Sequence, residues 1–73
     1  SGFQAHYDYY SFVLAYWGTG DTQKAIENYQ LAVEKDPRLG SAKTLLERTL
    51  EWTPLEQRAM HEIYVLWSKA WKP

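Results

Sequence analysis

The segment between Gly18 and Pro37 constrains the fold of this 73-residue chain more than any other part of its sequence. It begins with Gly18 and Gly20, which supply a flexible turn, and with Asp21, whose carboxylate suits the N-cap of a following helix. It ends at Pro37, because a proline disfavours helical geometry in the residue before it. The sequence therefore predicts a helix over residues 21–35 with a defined start and a defined end.

Apolar residues on both sides of the glycine turn recur at the spacing of an α-helix. They lie three and four residues apart, which places each set on one helix face. The set after the turn includes two alanines, whose small side chains allow two helix backbones to approach closely while aromatic rings fill the surrounding space. We therefore expect an antiparallel hairpin with these two stripes in its core. The stripes are Tyr9, Phe12 and Tyr16 before the turn, and Ala25, Tyr29 and Ala32 after it.

This order of residues resembles the tetratricopeptide repeat, a helical hairpin of about 34 residues. The match covers residues 4–37, about half of the chain, and implies a scaffold that binds other proteins rather than an enzyme. In the first helix, the positions of Trp, Leu, Gly and Tyr in the repeat are occupied by Tyr9, Phe12, Val13 and Tyr16. In the second helix, the positions of Ala, an aromatic residue, Ala and Pro are occupied by Ala25, Tyr29, Ala32 and Pro37.

Adding the repeat length of about 34 residues to these positions tests for a second repeat. Two core positions of the first helix then map to Leu46 and Leu50, which are apolar as the pattern requires. Val13, which stands at the glycine position of the repeat, maps to Glu47, and Ala32 maps to the bulkier Leu66. We therefore expect a degenerate second hairpin, or a modified cap, over residues 40–71.

Glycine and proline fall almost only at the breaks between four predicted helices, over residues 4–17, 21–35, 40–52 and 54–71. The last boundary is the sharpest, because Thr53 and Glu56 fit a capping box around Pro54. The sequence thus predicts an all-α fold of two stacked antiparallel helical hairpins, with the last helix as a C-terminal cap. We expect residues 1–73 to be one domain of a larger protein, since repeats of this kind bury their faces by stacking and at least about three are needed.

Composition excludes several functional classes. Without cysteine the chain has neither disulfides nor thiolates, and its core must come from four Trp, six Tyr and two Phe. Eight basic against nine acidic residues give a net charge of −1, which argues against nucleic acid as a partner. No apolar run approaches the roughly 20 residues that span a bilayer. The chain starts without the pattern of a signal peptide, which favours the cytoplasm but leaves the compartment open.

The known catalytic patterns are not completed by these residues. His61 and Glu62 begin like the zinc-protease signature, but Val65 stands where its second histidine is required. Ser41 follows Gly40 without the second glycine of a nucleophile elbow. We therefore expect no enzymatic activity, no metal and no cofactor.

A second apolar stripe on the first helix is the main candidate binding surface. In the tetratricopeptide family this face lines a groove that holds a peptide, and its positions fall on Tyr7, Tyr10, Leu14 and Trp17. The lysine and asparagine with which some relatives grip a C-terminal carboxylate are replaced here by Tyr10 and Leu14, so that clamp is absent. In the second hairpin, Arg48 is the one cation placed to meet an acidic ligand group. The stripe either forms a peptide groove or is covered by the fourth helix or a second copy.

The fourth predicted helix is apolar on more than one face. Its surplus surface, with Trp67 and Trp71, is a candidate for self-association or for docking on another domain. Membrane contact is disfavoured, because Lys69 and Lys72 are too few for a membrane-binding helix. One seam comprises Met60, Ile63, Trp67 and Ala70, and a weaker one comprises Leu55, Ala59, Glu62 and Leu66.

Two functional hypotheses follow. The first is a module that binds a protein or peptide partner through the aromatic face of its first helix. The alternative is a structural module, in which apolar surfaces serve homo-oligomerisation or pack on the rest of a larger protein, an enzyme included. A stable monomer would remove the homo-oligomeric form of the alternative, because that form requires a second copy to cover the surplus surface.

Overall fold

A computed structural model describes the backbone of residues 4–71 and the side chains of residues 10–71. It contains four α-helices and one short 3₁₀ helix, and it confirms the prediction of an all-α chain with two stacked hairpins. Its radius of gyration of 11.2 Å matches the value of about 11 Å for a compact chain of this length. The helices are α1 (Gln4–Gly18), α2 (Thr22–Lys35), the 3₁₀ helix (Pro37–Gly40), α3 (Ala42–Arg48) and α4 (Pro54–Ala70).

The first hairpin turns where the sequence predicts. Gly20 has a φ of +84°, a left-handed conformation that glycine adopts without steric cost. The Asp21 carboxylate accepts a hydrogen bond from the Lys24 amide at 3.2 Å and so caps α2. The Asp21 amide donates to the Tyr16 carbonyl at 2.8 Å, which satisfies the end of α1. Local hydrogen bonds therefore define both sides of this turn.

The core face of α1 differs from the predicted one. Val13 is fully buried at its centre, Tyr16 is partly buried, and Phe12 is 52% exposed. The prediction that Phe12 belongs to the core is therefore wrong. Ala25 and Ala32 of α2 are buried as predicted, and these small residues suit close contact with the short Val13 side chain. A helix advances about 100° per residue, so centring the contact on Val13 turns Phe12 outwards. The Tyr9 side chain lies outside the described residues.

Asp36 and Pro37 end α2 as predicted, and the chain continues directly into the 3₁₀ helix. Leu39 of this helix is 2% exposed, and its carbonyl accepts a hydrogen bond from the buried Tyr29 hydroxyl at 2.6 Å. Burial raises the pKa of Tyr29, because the ionised phenolate would lose its hydration. Tyr29 thus fixes the connection between the hairpins to the core.

The third helix is shorter than the predicted span of residues 40–52. It ends at Arg48, and the buried Thr49 hydroxyl donates to the Leu45 carbonyl at 3.0 Å. The Trp52 backbone amide and the Gln57 side-chain amide both donate to the Thr49 carbonyl, at 3.0 and 2.6 Å, so a turn replaces the next helical bond. The apolar period of the sequence carries no signal for this turn, which is why the predicted helix extended too far.

The capping box at the start of α4 is present as predicted. The Thr53 hydroxyl accepts from the Glu56 amide at 3.2 Å, and the Glu56 carboxylate accepts from the Thr53 amide at 3.2 Å. Met60, Ile63 and Trp67 of the predicted seam are buried, whereas Ala70 at its end is exposed. Through this seam α4 packs against α2, and it also touches α1, so the two hairpins share one core.

Candidate interaction surface

The stripe of α1 predicted to bind a partner lies mostly against the protein itself. Tyr10, Leu14 and Trp17 are partly buried and pack on the core. All three lie on the same side of Val13 around the helix, opposite to Phe12, so α1 packs with this side turned inwards. Tyr7 also belongs to this prediction, but its side chain lies outside the described residues. Only part of each of these side chains is accessible to solvent, so the described part of the stripe does not form an open face.

Tyr10 joins α1 to the segment after α3. Its ring meets that of Trp52 edge to face, with the centroids 5.5 Å apart and an angle of 84° between the planes. Burial raises the pKa of Tyr10, and a hydrogen bond that the Arg48 guanidinium donates to the Tyr10 oxygen partly opposes that rise. The structure thus brings together two predicted binding residues, Tyr10 and Arg48, at a contact that holds the hairpins to each other.

Arg48 already has an acidic partner within the chain. Its Nη1 lies 2.6 Å from Oδ2 of Asp36, and Nε of Arg38 lies 3.2 Å from Oδ1 of the same carboxylate. Partial burial favours a higher pKa for Asp36, but the hydrogen bonds from Arg48 and then Arg38 outweigh it and lower the pKa. An acidic ligand of Arg48 would therefore have to displace Asp36.

The two tryptophans predicted for self-association lie in different environments. Trp67 is 4% exposed, and its indole N–H donates to Oε1 of Gln30 at 2.6 Å. Its ring meets that of Tyr29 at 5.4 Å between centroids. Trp67 is therefore a core residue that joins α4 to α2. Trp71 is 48% exposed at the end of α4 and remains available for contact.

The most exposed leucines of the described residues lie around the connection between α3 and α4. Leu46 is 58% exposed, Leu50 66% and Leu55 78%, and we call these three residues the leucine edge. The hydrogen bond from Gln57 to Thr49 closes the connection and holds the start of α4 beside the end of α3. Single exposed leucines are common, but three on one connection make an apolar surface that calls for an explanation.

Sequence reasoning missed the leucine edge. Leu46 and Leu50 occupy positions that the repeat pattern assigns to the core, but α3 ends at Arg48, before Leu50. A signal was present, since each leucine of the edge is followed by a glutamate: Leu46-Glu47, Leu50-Glu51 and Leu55-Glu56. Within residues 10–71, neither Glu47 nor Glu51 has an ion pair or a side-chain hydrogen bond. The edge is therefore both apolar and acidic.

Other kinds of site find little support in the part of the chain that the structure describes. No group of three or more His, Asp or Glu side chains there is arranged to hold a metal ion. Every buried side-chain nitrogen and oxygen among these residues has a hydrogen-bond partner, so no buried polar atom is left to orient a ligand. No described helix is long and apolar enough to cross a membrane.

Comparisons of this chain with known protein families, curated proteins and solved structures gave no match. The function is therefore inferred from the chain's own residues: a closed aromatic core, an arginine already paired with Asp36, and an exposed leucine edge whose Glu47 and Glu51 have no ion pair within residues 10–71.

Proposed function

We propose that this chain is a protein-interaction module, built on a tetratricopeptide-like hairpin, and that the leucine edge is its contact surface. The observation that supports the proposal is that Leu46, Leu50 and Leu55, on one connection, are the three most exposed large apolar side chains of the described residues. Exposed apolar surface of this kind is typical of protein-binding sites, because burying it against a partner removes it from water. The module has no catalytic role in this proposal.

The proposal moves the binding surface away from the first helix. Tyr10, Leu14 and Trp17 already make contacts within the chain, so a partner would gain less by covering them than by covering leucines that are 58–78% exposed. The aromatic residues of α1 then act as scaffold. Their packing against α4 and the segment around Trp52 holds the connection that carries the leucine edge.

Affinity capture from cell extract tests this function. A variant with Leu46→Gln, Leu50→Gln and Leu55→Gln should lose partners that the unchanged chain retains. The matched control is Leu31→Gln, because Leu31 is 44% exposed on α2, away from the leucine edge. Circular dichroism should show that all variants keep their helix content. Partners retained equally by the triple variant and the unchanged chain would rule out the leucine edge as the contact surface.

The alternative function, self-association or docking on a larger protein, is supported by the exposure of Trp71 at the end of α4. Sedimentation at micromolar concentration tests its homo-oligomeric form. A stable monomer excludes that form, whereas a dimer that Trp71→Gln converts to monomer supports it. Under the main proposal we expect a monomer, since the acidic leucine edge does not suit contact with itself.

A further inference from the structure

We propose that the leucine edge binds a basic, amphipathic α-helix of a partner protein, an inference that rests on the proposed function. Such a helix carries leucine-like side chains on one face and lysine or arginine beside them. The apolar face would cover Leu46, Leu50 and Leu55. The basic side chains would meet the glutamates that follow each of these leucines.

The charges of the edge favour a basic partner. Glu47 and Glu51 are exposed and have no ion pair or side-chain hydrogen bond among the described residues. Glu56 is held in the capping box by hydrogen bonds that leave its charge in place. The cation within the same segment is Arg48, whose guanidinium is engaged with Asp36 at 2.6 Å, a carboxylate that Arg38 also contacts. Among the described residues, the carboxylates of Glu47 and Glu51 are therefore left for a partner to pair with.

Apart from Arg48, the cations nearest to the edge in sequence are Lys43, three residues before Leu46, and Arg58, three residues after Leu55. Because Arg48 is engaged with Asp36, the middle of the edge offers the carboxylates of Glu47 and Glu51 to the basic side chains of a bound helix. Opposite charges around an apolar contact raise the association rate and disfavour partners that carry the same charge as the site.

A second copy of this chain fits the edge less well. Contact between two leucine edges would bring the carboxylates of Glu47, Glu51 and Glu56 close to their equivalents, and like charges in contact are unfavourable.

Direct binding to two synthetic peptides tests the inference. Both are about 20 residues long, with leucines at the spacing of one helix face; the other positions are lysine in one peptide and glutamate in its matched control. We expect the lysine peptide to bind, the glutamate peptide not to bind, and the affinity to fall as salt is added. Equal binding of both peptides would overturn the inference.

Variants of the protein locate the contact. Glu47→Gln with Glu51→Gln should weaken binding of the lysine peptide about two- to thirtyfold, as expected when two exposed charge pairs are removed. Glu27→Gln with Glu34→Gln removes two exposed charges of α2 and should leave the affinity unchanged. A loss of the same size in both double variants would mean that only net charge is sensed, which contradicts a site at the edge.

The outcomes separate this inference from the proposed function. If capture from extract depends on the three leucines but the lysine peptide does not bind, the interaction function stands and the basic helix is wrong. If no captured partner depends on the leucines, and the peptide does not bind, both fail. A leucine-dependent dimer in sedimentation would assign the edge to a second copy and overturn the inference.

Discussion

The indole N–H of Trp67 in α4 donates a hydrogen bond of 2.6 Å to the side-chain oxygen of Gln30 in α2, 37 residues earlier in the chain. This bond joins the two hairpins at a point where Trp67 is almost completely buried. A buried indole N–H without an acceptor is unfavourable. The pair therefore sets where α4 lies along α2.

Gln30→Leu should destabilise the protein by about 1–2 kcal/mol, because it leaves the indole N–H without its acceptor. The free energy of unfolding, from urea titration followed by circular dichroism, measures this loss. Gln23→Leu is the matched control on the same helix, since Gln23 bonds only to the exposed Glu27 and should change stability by less than about 0.5 kcal/mol. An equal effect of both substitutions would contradict a specific role for the Trp67 bond.

Stability should fall at alkaline pH because of Tyr29. Burial raises the pKa of Tyr29 in the folded state above its unfolded value of about 10. The stabilisation is therefore complete below about pH 10 and is lost as the pH rises through the folded pKa. Urea midpoints should therefore show no decline from this source between about pH 8 and pH 10, and a decline from about pH 10 upwards.

Tyr29→Phe provides the control for this pH dependence. It removes the hydroxyl that donates to the Leu39 carbonyl, which should cost about 1–1.5 kcal/mol at neutral pH and flatten the alkaline decline. Tyr16→Phe alters a less buried ring and should retain the decline. If Tyr29→Phe declines as steeply as the unchanged chain, ionisation of another group is responsible.

Acid should weaken the contact between Asp36 and its two arginines. The hydrogen bonds from Arg48 and Arg38 lower the pKa of Asp36 despite its partial burial. Its stabilising effect is present above the unfolded pKa of about 3.9 and is lost as the pH falls through the lower folded value. Asp36→Asn should therefore be less stable than the unchanged chain at neutral pH, and this difference should shrink at low pH.

Urea midpoints at about pH 7 and pH 2.5 measure this difference. Glu62→Gln, which removes an exposed carboxylate from α4, serves as the control and should show a smaller difference at neutral pH. If the urea midpoints of Asp36→Asn and the unchanged chain differ by the same amount at both pH values, the charge of Asp36 is not what stabilises the contact.

Thr53→Ala should destabilise the protein by about 0.5–2 kcal/mol, because the capping box satisfies amides at the start of α4. Ser41→Ala is a natural control, since Ser41 occupies the N-cap of α3 without a side-chain cap bond. Thermal unfolding of both variants gives the comparison. A larger loss from Ser41→Ala than from Thr53→Ala would contradict the capping geometry.

The starts of α2 and α4 could be predicted from the sequence, because they depend on neighbours in the chain. Asp21 caps an amide three residues ahead, and Thr53 and Glu56 cap each other across the same interval. Pro37 ends α2 through the geometry of the residue before it. The seam of Met60, Ile63 and Trp67 could also be predicted, because its residues lie three and four positions apart on one helix face.

The end of α3 and the candidate site could not be predicted in this way. The Thr49 carbonyl accepts from the Trp52 amide in a turn and from the Gln57 side chain of α4, and Trp52 packs on Tyr10 of α1. The helix α3 ends at Arg48, and Leu50 after it is exposed. Because the repeat pattern carries no information about these contacts, it assigned Leu46 and Leu50 to core positions.

The sequence by itself determined that this chain is all-α and where its turns begin, since both depend on periodicity and on hydrogen bonds between near neighbours. The tertiary structure alone decided which faces are buried. Packing against α2 centred α1 on Val13, turned Phe12 outwards and drew Tyr10 and Trp17 inwards. A helix with apolar residues on several faces buries whichever face its neighbours fit best, and the leucine edge is the surface that this choice left exposed.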